Sequence, residues 1–245
     1  MVARRNALVW RKQLWAAMMM NFGEPLLYLL GMGYGLGYFV REMSGMGYLT
    51  FLASGVAALS VMTSATFEGM YSAYSRMVPQ RTYEAILATP LSVDDIAAGE
   101  MLWSGCKAMI SGASILLVAA LLGAVGGWQA LWTLPLMVLV GLAFTGPALM
   151  VTALARDWQT FQYYMTLAVT PMMMLCGVFY PLDAFPPALQ SFAQALPLTH
   201  AVDLLRPLVA GRPADGLWEH VLYLLLFTLT SGAGAVLLLR RRMLG

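Results

Sequence analysis

Glu24, Glu68, Glu100 and Lys107 lie inside or at the ends of long apolar runs, and His200, Asp203 and Arg206 recur at a spacing of three residues. A charge at the centre of a bilayer costs about 2.5–3.5 kcal/mol even on insertion scales, so each of these groups raises a functional question. The three glutamates fall near run ends, where water or headgroups reach them. Lys107 sits about two turns inside its run, roughly 10 Å deep. Its ammonium could snorkel, pair with Glu68 or Glu100, or meet a substrate head group. His200, Asp203 and Arg206 would share an arc of about 120° on a helix. A His–Asp contact suits acid–base chemistry, but no Ser or Cys nucleophile in an elbow accompanies it, and Thr199 is better placed as a cap. The expectation is that the three groups satisfy one another while their helix docks. Together with Phe179 and Tyr180 they form a candidate gate, and no catalytic residue is assigned. Cys106 and Cys176 both fall in apolar runs and read as buried thiols; no metal site is expected.

The elements that must hold these groups follow from composition. Of 245 residues 60% are hydrophobic and 11% charged, against about 25% charged in soluble domains. The chain reads as an all-α polytopic membrane protein. Runs long enough to cross a bilayer lie at 22–40, 48–70, 99–123, 131–154, 160–180 and 218–239, so six transmembrane helices are expected. With the N-terminus inside, Arg4, Arg5, Arg11, Lys12, Arg76, Arg81, Arg156 and Arg240 to Arg242 share one side, and Arg41, Arg206 and Arg212 the other. Both termini are therefore expected in the cytoplasm. Residues 3–17 form an amphipathic interface helix, with Arg4, Arg5, Arg11 and Lys12 on one face and Ala3, Ala7, Trp10, Leu14 and Ala17 on the other. Gly31/Gly35 and Gly33/Gly37 are two overlapping small-residue patterns at which another helix could approach. The segment 181–217 carries Pro181, Pro186, Pro187, Pro197 and Pro207 between amphipathic runs. It reads as extracytoplasmic re-entrant helices before the last span, because non-helical backbone at membrane depth needs protein or a wet cavity around it.

Between the second and third spans, Thr82 can cap a short helix that Pro90 ends. Ser92 can cap the next, with Asp94 and Asp95 in its first turn. The short helix, 81–88, would turn Arg81, Tyr83, Glu84 and Leu87 outward, a mixed surface suited to a groove on a partner. It could equally be an ordinary capped loop helix. The chain's lysines, Lys12 and Lys107, do not follow glycines, so it holds no phosphate loop of the G-x-x-x-x-G-K-[ST] type. Any ATP-driven work would need a second polypeptide.

Several stretches, in order along nearly the whole chain, resemble the membrane subunit of ABC-2-type exporters, above all the permeases of rhizobial nodulation-factor (lipo-oligosaccharide) exporters. They include Glu24-Pro-Leu-Leu-Tyr28, Ala65-Thr-Phe-Glu68, Gln80-Arg-Thr-Tyr-Glu-Ala85, Gly99-Glu-Met-Leu-Trp103 with Lys107, Pro181-Leu-Asp183, Leu196 to Pro207, and Leu239-Arg-Arg-Arg-Met-Leu244. The resemblance implies one transmembrane domain over 1–245 with an architecture like that of type V ABC exporters. It implies a homodimer in a bacterial inner membrane with two cytoplasmic ABC ATPase subunits that carry the ATP and Mg; this chain would bind no cofactor and no nucleic acid. Residues 81–88 would be the coupling helix, with Arg81, Thr82, Tyr83, Glu84 and Leu87 at the ATPase. The substrate would be a lipid-linked oligosaccharide, a lipid or a drug. The rival readings are a secondary transporter acting alone, which would need ionisable groups near the midplane, a membrane enzyme built on His200 and Asp203, and a scaffold.

Overall fold

The computed structural model describes residues 2–11, 27, 29–213 and 216–244. The first helix, α1 (Val2–Arg11), is followed by a π turn at Leu29–Tyr34 and a two-stranded hairpin, β1 (Glu42–Met43) and β2 (Met46–Gly47). Then come α2 (Tyr48–Phe67), a π turn (Glu68–Ser72), α3 (Ala73–Met77), α4 (Thr82–Leu87) and α5 (Val93–Leu121). A 3-10 turn (Trp128–Trp132) leads into α6 (Thr133–Leu154). Next are α7 (Gln159–Tyr164), a further π turn (Met165–Val169) and α8 (Thr170–Leu175). The chain closes with α9 (Pro187–Gln194), α10 (Pro197–Val209) and α11 (Leu217–Leu244).

Four helical stretches among the described residues are long and apolar enough to cross a membrane: Tyr48–Met77, Val93–Leu121, Trp128–Leu154 and Leu217–Leu244. They cover the runs expected at 48–70, 99–123, 131–154 and 218–239. Residues 22–26 and 28 of the expected first span, Glu24 among them, lie outside the described residues, as does the 12–17 part of the interface helix. The run expected at 160–180 is helical only to Leu175. Pro171 lacks the N–H that would continue the helical ladder, and the turn before it widens to π geometry. Cys176 then leaves helical geometry and Gly177 takes φ +73°, a conformation that glycine adopts without a steric cost.

α2 lies in the middle, buried along most of its length, with α5, α6 and α10 packed on it. Small residues set these contacts. A Cβ on Gly112 of α5 would lie 2.6 Å from Val61 Cγ2, and one on Gly141 of α6 would lie 2.9 Å from Gly105 Cα of α5. Helix backbones without side chains at the crossing approach closely, which is how packing replaces the hydrophobic drive inside lipid. α11 lies along α6 and turns Leu222, Leu225, Leu226, Leu229 and Leu237 outward, a leucine surface suited to acyl chains. Of the small-residue pairs near the first span, Gly33 faces Leu49 of α2, whereas Gly31 and Gly35 have nothing within 4 Å.

The docked face of α1 differs from the one its sequence suggests. Val2 and Asn6, one turn apart, are buried against α5, while Leu8 and Val9 are exposed. Gly99 makes this possible, since a Cβ there would lie 2.6 Å from Val2 Cβ.

At the other end of the bundle the chain leaves α8 as irregular backbone, Gly177 to Tyr180, pressed on α2. A Cβ on Gly55 would lie 2.4 Å from the Val178 carbonyl oxygen. Backbone atoms cannot rotate away, so Gly55→Ala should cost about 1–3 kcal/mol through overpacking, while Gly47→Ala, at φ −58° and with nothing within 4 Å of the added Cβ among the described residues, should be neutral. Thermal unfolding in detergent will show a lowered midpoint for the first variant only; equal midpoints would contradict this close approach.

Candidate functional site

The π turn that joins α2 to α3 carries Glu68, and the widened backbone is where the charges gather. Glu68 is 3% exposed and Glu100 2%. Lys107 Nζ stands 2.6 Å from Glu68 Oε2, and Arg76 donates to Glu68 Oε1 at 3.0 Å and to Glu100 Oε2. Trp103 Nε1 (3.1 Å) and Ser72 Oγ (3.0 Å) complete the donors around Glu68. Asn6 Nδ2 reaches both oxygens of Glu100 at 3.2 Å. Of the four charges expected at this entrance, the structure brings Glu68, Glu100 and Lys107 together; Glu24 lies outside the described residues. Lys107 pairs with Glu68 rather than Glu100. Arg76, read from the sequence only as a loop cation that sets orientation, is the residue that joins the two carboxylates. Its position eight residues after Glu68, two turns along one helix, was the available signal. Asn6 gave none, because its partner is ninety-four positions away.

α4 crosses this end of the bundle. Arg81 and Glu84 are exposed and Leu87 is half-buried, but Tyr83, expected outward, is 1% exposed. It belongs to an apolar cluster with Tyr74, Met77 and Ile96. Six residues are too few for a helical period to reveal which face is buried, and the largest side chain went inside. Burial first, and the charge of Glu100 next, raise the Tyr83 phenol well above its ordinary pKa. The hydroxyl lies beside the Arg76–Glu100 pair, close enough to act on both, without a well-aligned hydrogen bond among the described residues. Thr82 is not the cap: it is the first helical residue, and Arg81 precedes it in the left-handed region at φ 49° with no side-chain cap. Ser92 caps α5 as expected, in a reciprocal box with Asp95, and Asp94 pairs with Arg240 of α11. Arg242 donates to the carbonyls of Thr152, Ala153 and Ala155 at the end of α6. The arginine-rich chain end is thus fixed to the same end of the bundle as α1, α4 and the Glu68 cluster.

At the opposite end the charges of Arg206, His220 and His200 act on Asp203, while the hydrogen bonds of His200 and Arg206 run to other elements. Arg206 turns to α2 and the chain after α8: Nε donates to Ser54 Oγ at 3.1 Å, Nη2 to the Gly177 carbonyl, and the guanidinium lies 3.8 Å over the Phe51 ring. His200 turns to α11, with its Nδ1 2.9 Å from Nδ1 of His220 and its ring stacked on Tyr223 at 3.7 Å. Asp203 forms no ion pair within 4.0 Å among the described residues. A shared helical arc sets direction, but which neighbour lies there depends on packing. Phe179 packs against the main core, and Tyr180 meets Phe185 edge-on at 5.4 Å. Trp158 and Phe161 pack on Tyr71 and Tyr74.

The sequence matches known proteins along most of its length. A family model described as "ABC-2 type transporter" matches residues 1–209. Nodulation protein J of Rhizobium leguminosarum bv. trifolii is 43% identical over 243 residues, which cover 99% of this chain and 93% of the relative. Nodulation protein J of Rhizobium meliloti strain 1021 is 41% identical with the same coverage. Inner membrane transport permease YadH of Escherichia coli K12 is 26% identical over 74% of this chain and 70% of its own length.

Removing one partner of a buried ion pair costs about 3–5 kcal/mol. Glu68→Gln, which strips Lys107 of its partner and leaves Arg76 with Glu100 alone, is expected to lose that much. Lys107 is 27% exposed, and Lys107→Met should cost about 1 kcal/mol or less. The swap Glu68→Lys/Lys107→Glu will not rescue, because a lysine at 68 would face Arg76. Detergent unfolding midpoints order these variants, and equal losses for Glu68→Gln and Lys107→Met would refute the ranking. Burial first, and then His220, lower the His200 pKa. A depressed folded pKa means that the unfolded chain takes the proton first. The His200–His220 contact therefore contributes fully above about pH 6.5 and is lost as pH falls through the lower folded value. The midpoint should drop between pH 7.5 and 5.5, and His200→Gln should flatten that drop; an unchanged slope would count against it.

Proposed function

We infer that this chain, which belongs to the ABC-2 type transporter family, is the membrane subunit of an exporter driven by a separate ATPase. Members of that family are transport subunits that work with such a partner. Here α4 is the part that fits it: an exposed helix between two long spans, presenting Arg81 and Glu84 to solvent while Tyr83 fixes it beside the Arg76–Glu100 pair. ATP binding by two partner subunits would close them, press on α4, and move the helices that meet at Glu68 and Glu100. The positions of Gly31 and Gly35, open on their outer side, suit a second copy of the chain, so the working unit is a homodimer of six-span subunits. The arginine-rich end, with α1, α4 and the end of α11, faces the cytoplasm of a bacterium whose inner membrane holds the complex; the name of the Escherichia coli relative supports that membrane. α9 and α10 form the extracytoplasmic cap. The cargo is an amphiphile such as a lipid-linked oligosaccharide, a lipid or a drug, in keeping with leucine-faced helices along which an acyl chain can pass.

The observation that carries this reading is the placement of α4. A membrane enzyme built on His200 and Asp203 has less support, because His200 pairs with His220. Co-expression with a neighbouring reading frame that encodes a phosphate loop should yield a co-purifying complex with vanadate-sensitive transport in vesicles. Arg81→Glu/Glu84→Lys should lower the ATPase recovered with the chain at least tenfold with no shift of the chain's unfolding midpoint. Full recovery of the ATPase with that variant would remove α4 as the docking element.

A further inference from the structure

A cleft of about 450 Å³ opens beside the Glu68 cluster, between α1, the π turn after α2, and α5. Volumes of this order hold a small-molecule head group. Trp10, Trp103 and Trp158 line it, with Trp10 edge-on to Trp103 at 6.0 Å. The polar atoms on its walls are unevenly satisfied. Both oxygens of Glu68 are saturated by donors from Lys107, Arg76, Trp103 and Ser72. By contrast Arg5 Nη1, Trp10 Nε1 and Arg76 Nε are buried donors with no acceptor among the described residues. All three residues line this one cleft. Asn6 Oδ1 is the buried acceptor left without a donor there.

The charges lean the same way. Arg76 and Lys107 are matched by Glu68 and Glu100, whereas Arg5 has no carboxylate within 4.0 Å among the described residues. Among the described residues the cleft therefore carries one cation more than its carboxylates match. An unpaired buried donor costs about 1–3 kcal/mol. Three such donors on residues that line one cleft are satisfied by a ligand bearing several anionic oxygens. Guanidinium groups match phosphate geometry, and their hydrogen bonds to it are charge-assisted. Three tryptophans meanwhile offer an apolar wall to whatever carries that phosphate.

We propose that the cleft binds the phosphate of a membrane amphiphile, with the Arg5, Trp10 and Arg76 side chains turning their covered, unpaired N–H groups to its oxygens and the tryptophans flanking the adjoining glycerol or sugar. On the exporter reading, on which this part rests, the bound amphiphile is cargo at the loading side, beside the charges that α4 would move.

The test uses the full chain in a neutral detergent, with tryptophan fluorescence as the signal and dihexanoyl phosphatidic acid, dihexanoylglycerol and inorganic phosphate as probes. Phosphatidic acid should bind at least tenfold more tightly than dihexanoylglycerol. Arg5→Gln, and separately Trp10→Phe, which keeps the ring on Trp103 in place, should each weaken phosphatidic acid binding about tenfold with unchanged unfolding midpoints. Equal binding of the two lipids, or an unaltered affinity in both variants, overturns the site. Inorganic phosphate that binds as tightly as phosphatidic acid overturns the amphiphile as its source. Lipid binding that fails while the ATPase still co-purifies refutes this site alone, and phosphate-selective binding without any ATPase partner retains the site and refutes the exporter reading.

Discussion

Two carboxylates buried at one end of an apolar helical bundle constrain everything around them. Glu68 and Glu100 are almost wholly withdrawn from solvent, and an isolated charge there would cost several kcal/mol. The fold meets that cost by bringing donors from every neighbouring element. α3 sends Arg76, α5 sends Lys107 and Trp103, and α1 sends Asn6. Buried ion pairs are weak sources of net stability but severe on any arrangement that leaves one member alone. The cluster therefore acts chiefly as a selector: it fixes where α1 docks and how α3 is oriented, since other placements would strand a carboxylate. Ser72, four residues on in the same π turn, adds its hydroxyl to the donors around Glu68.

The opposite end solves a different problem. There the difficulty is irregular backbone, Gly177 to Tyr180, lying against α2 inside an otherwise helical bundle. Such backbone is tolerated at depth only when protein satisfies its polar groups. Arg206 does so for the Gly177 carbonyl while resting on Phe51 and binding Ser54. Gly55 removes the side chain that would keep the two backbones apart. α10 is thus fastened inward to α2 by Arg206 and outward to α11 by His200, so the cap is tied to two spans by two residues of one helix.

How much of this was legible in the sequence follows from the range of each interaction. Four spans, the Ser92 cap and the grouping of arginines at one end rest on local composition and on short sequence offsets. The Lys107–Glu68 pair could be named as one of two options, because both residues fall at similar depth in neighbouring spans. The rest depended on which faces meet. Tyr83 was misplaced because a six-residue helix shows no period, and the α10 trio was only partly read, because shared direction does not imply shared hydrogen-bond partners. His220 was overlooked although it is the only other histidine in the chain. Its pairing with His200 depends on how α11 is rotated against α10, which no motif records.

The two ends also differ in what they let move. At the cap, rings and backbone carbonyls hold the contacts; these are short-ranged and are lost with small displacements. At the charged end the attractions fall off slowly with distance, and Arg76 already divides itself between two carboxylates, so a shift of α3 can strengthen one pair as it lengthens the other. Tyr83 lies beside that divided arginine, close enough to act on both Arg76 and Glu100. Elsewhere in the bundle the helices are held apart by few side chains, because Gly112, Gly141 and Gly55 bring backbone close to its neighbours and leave little space for a local displacement to be absorbed.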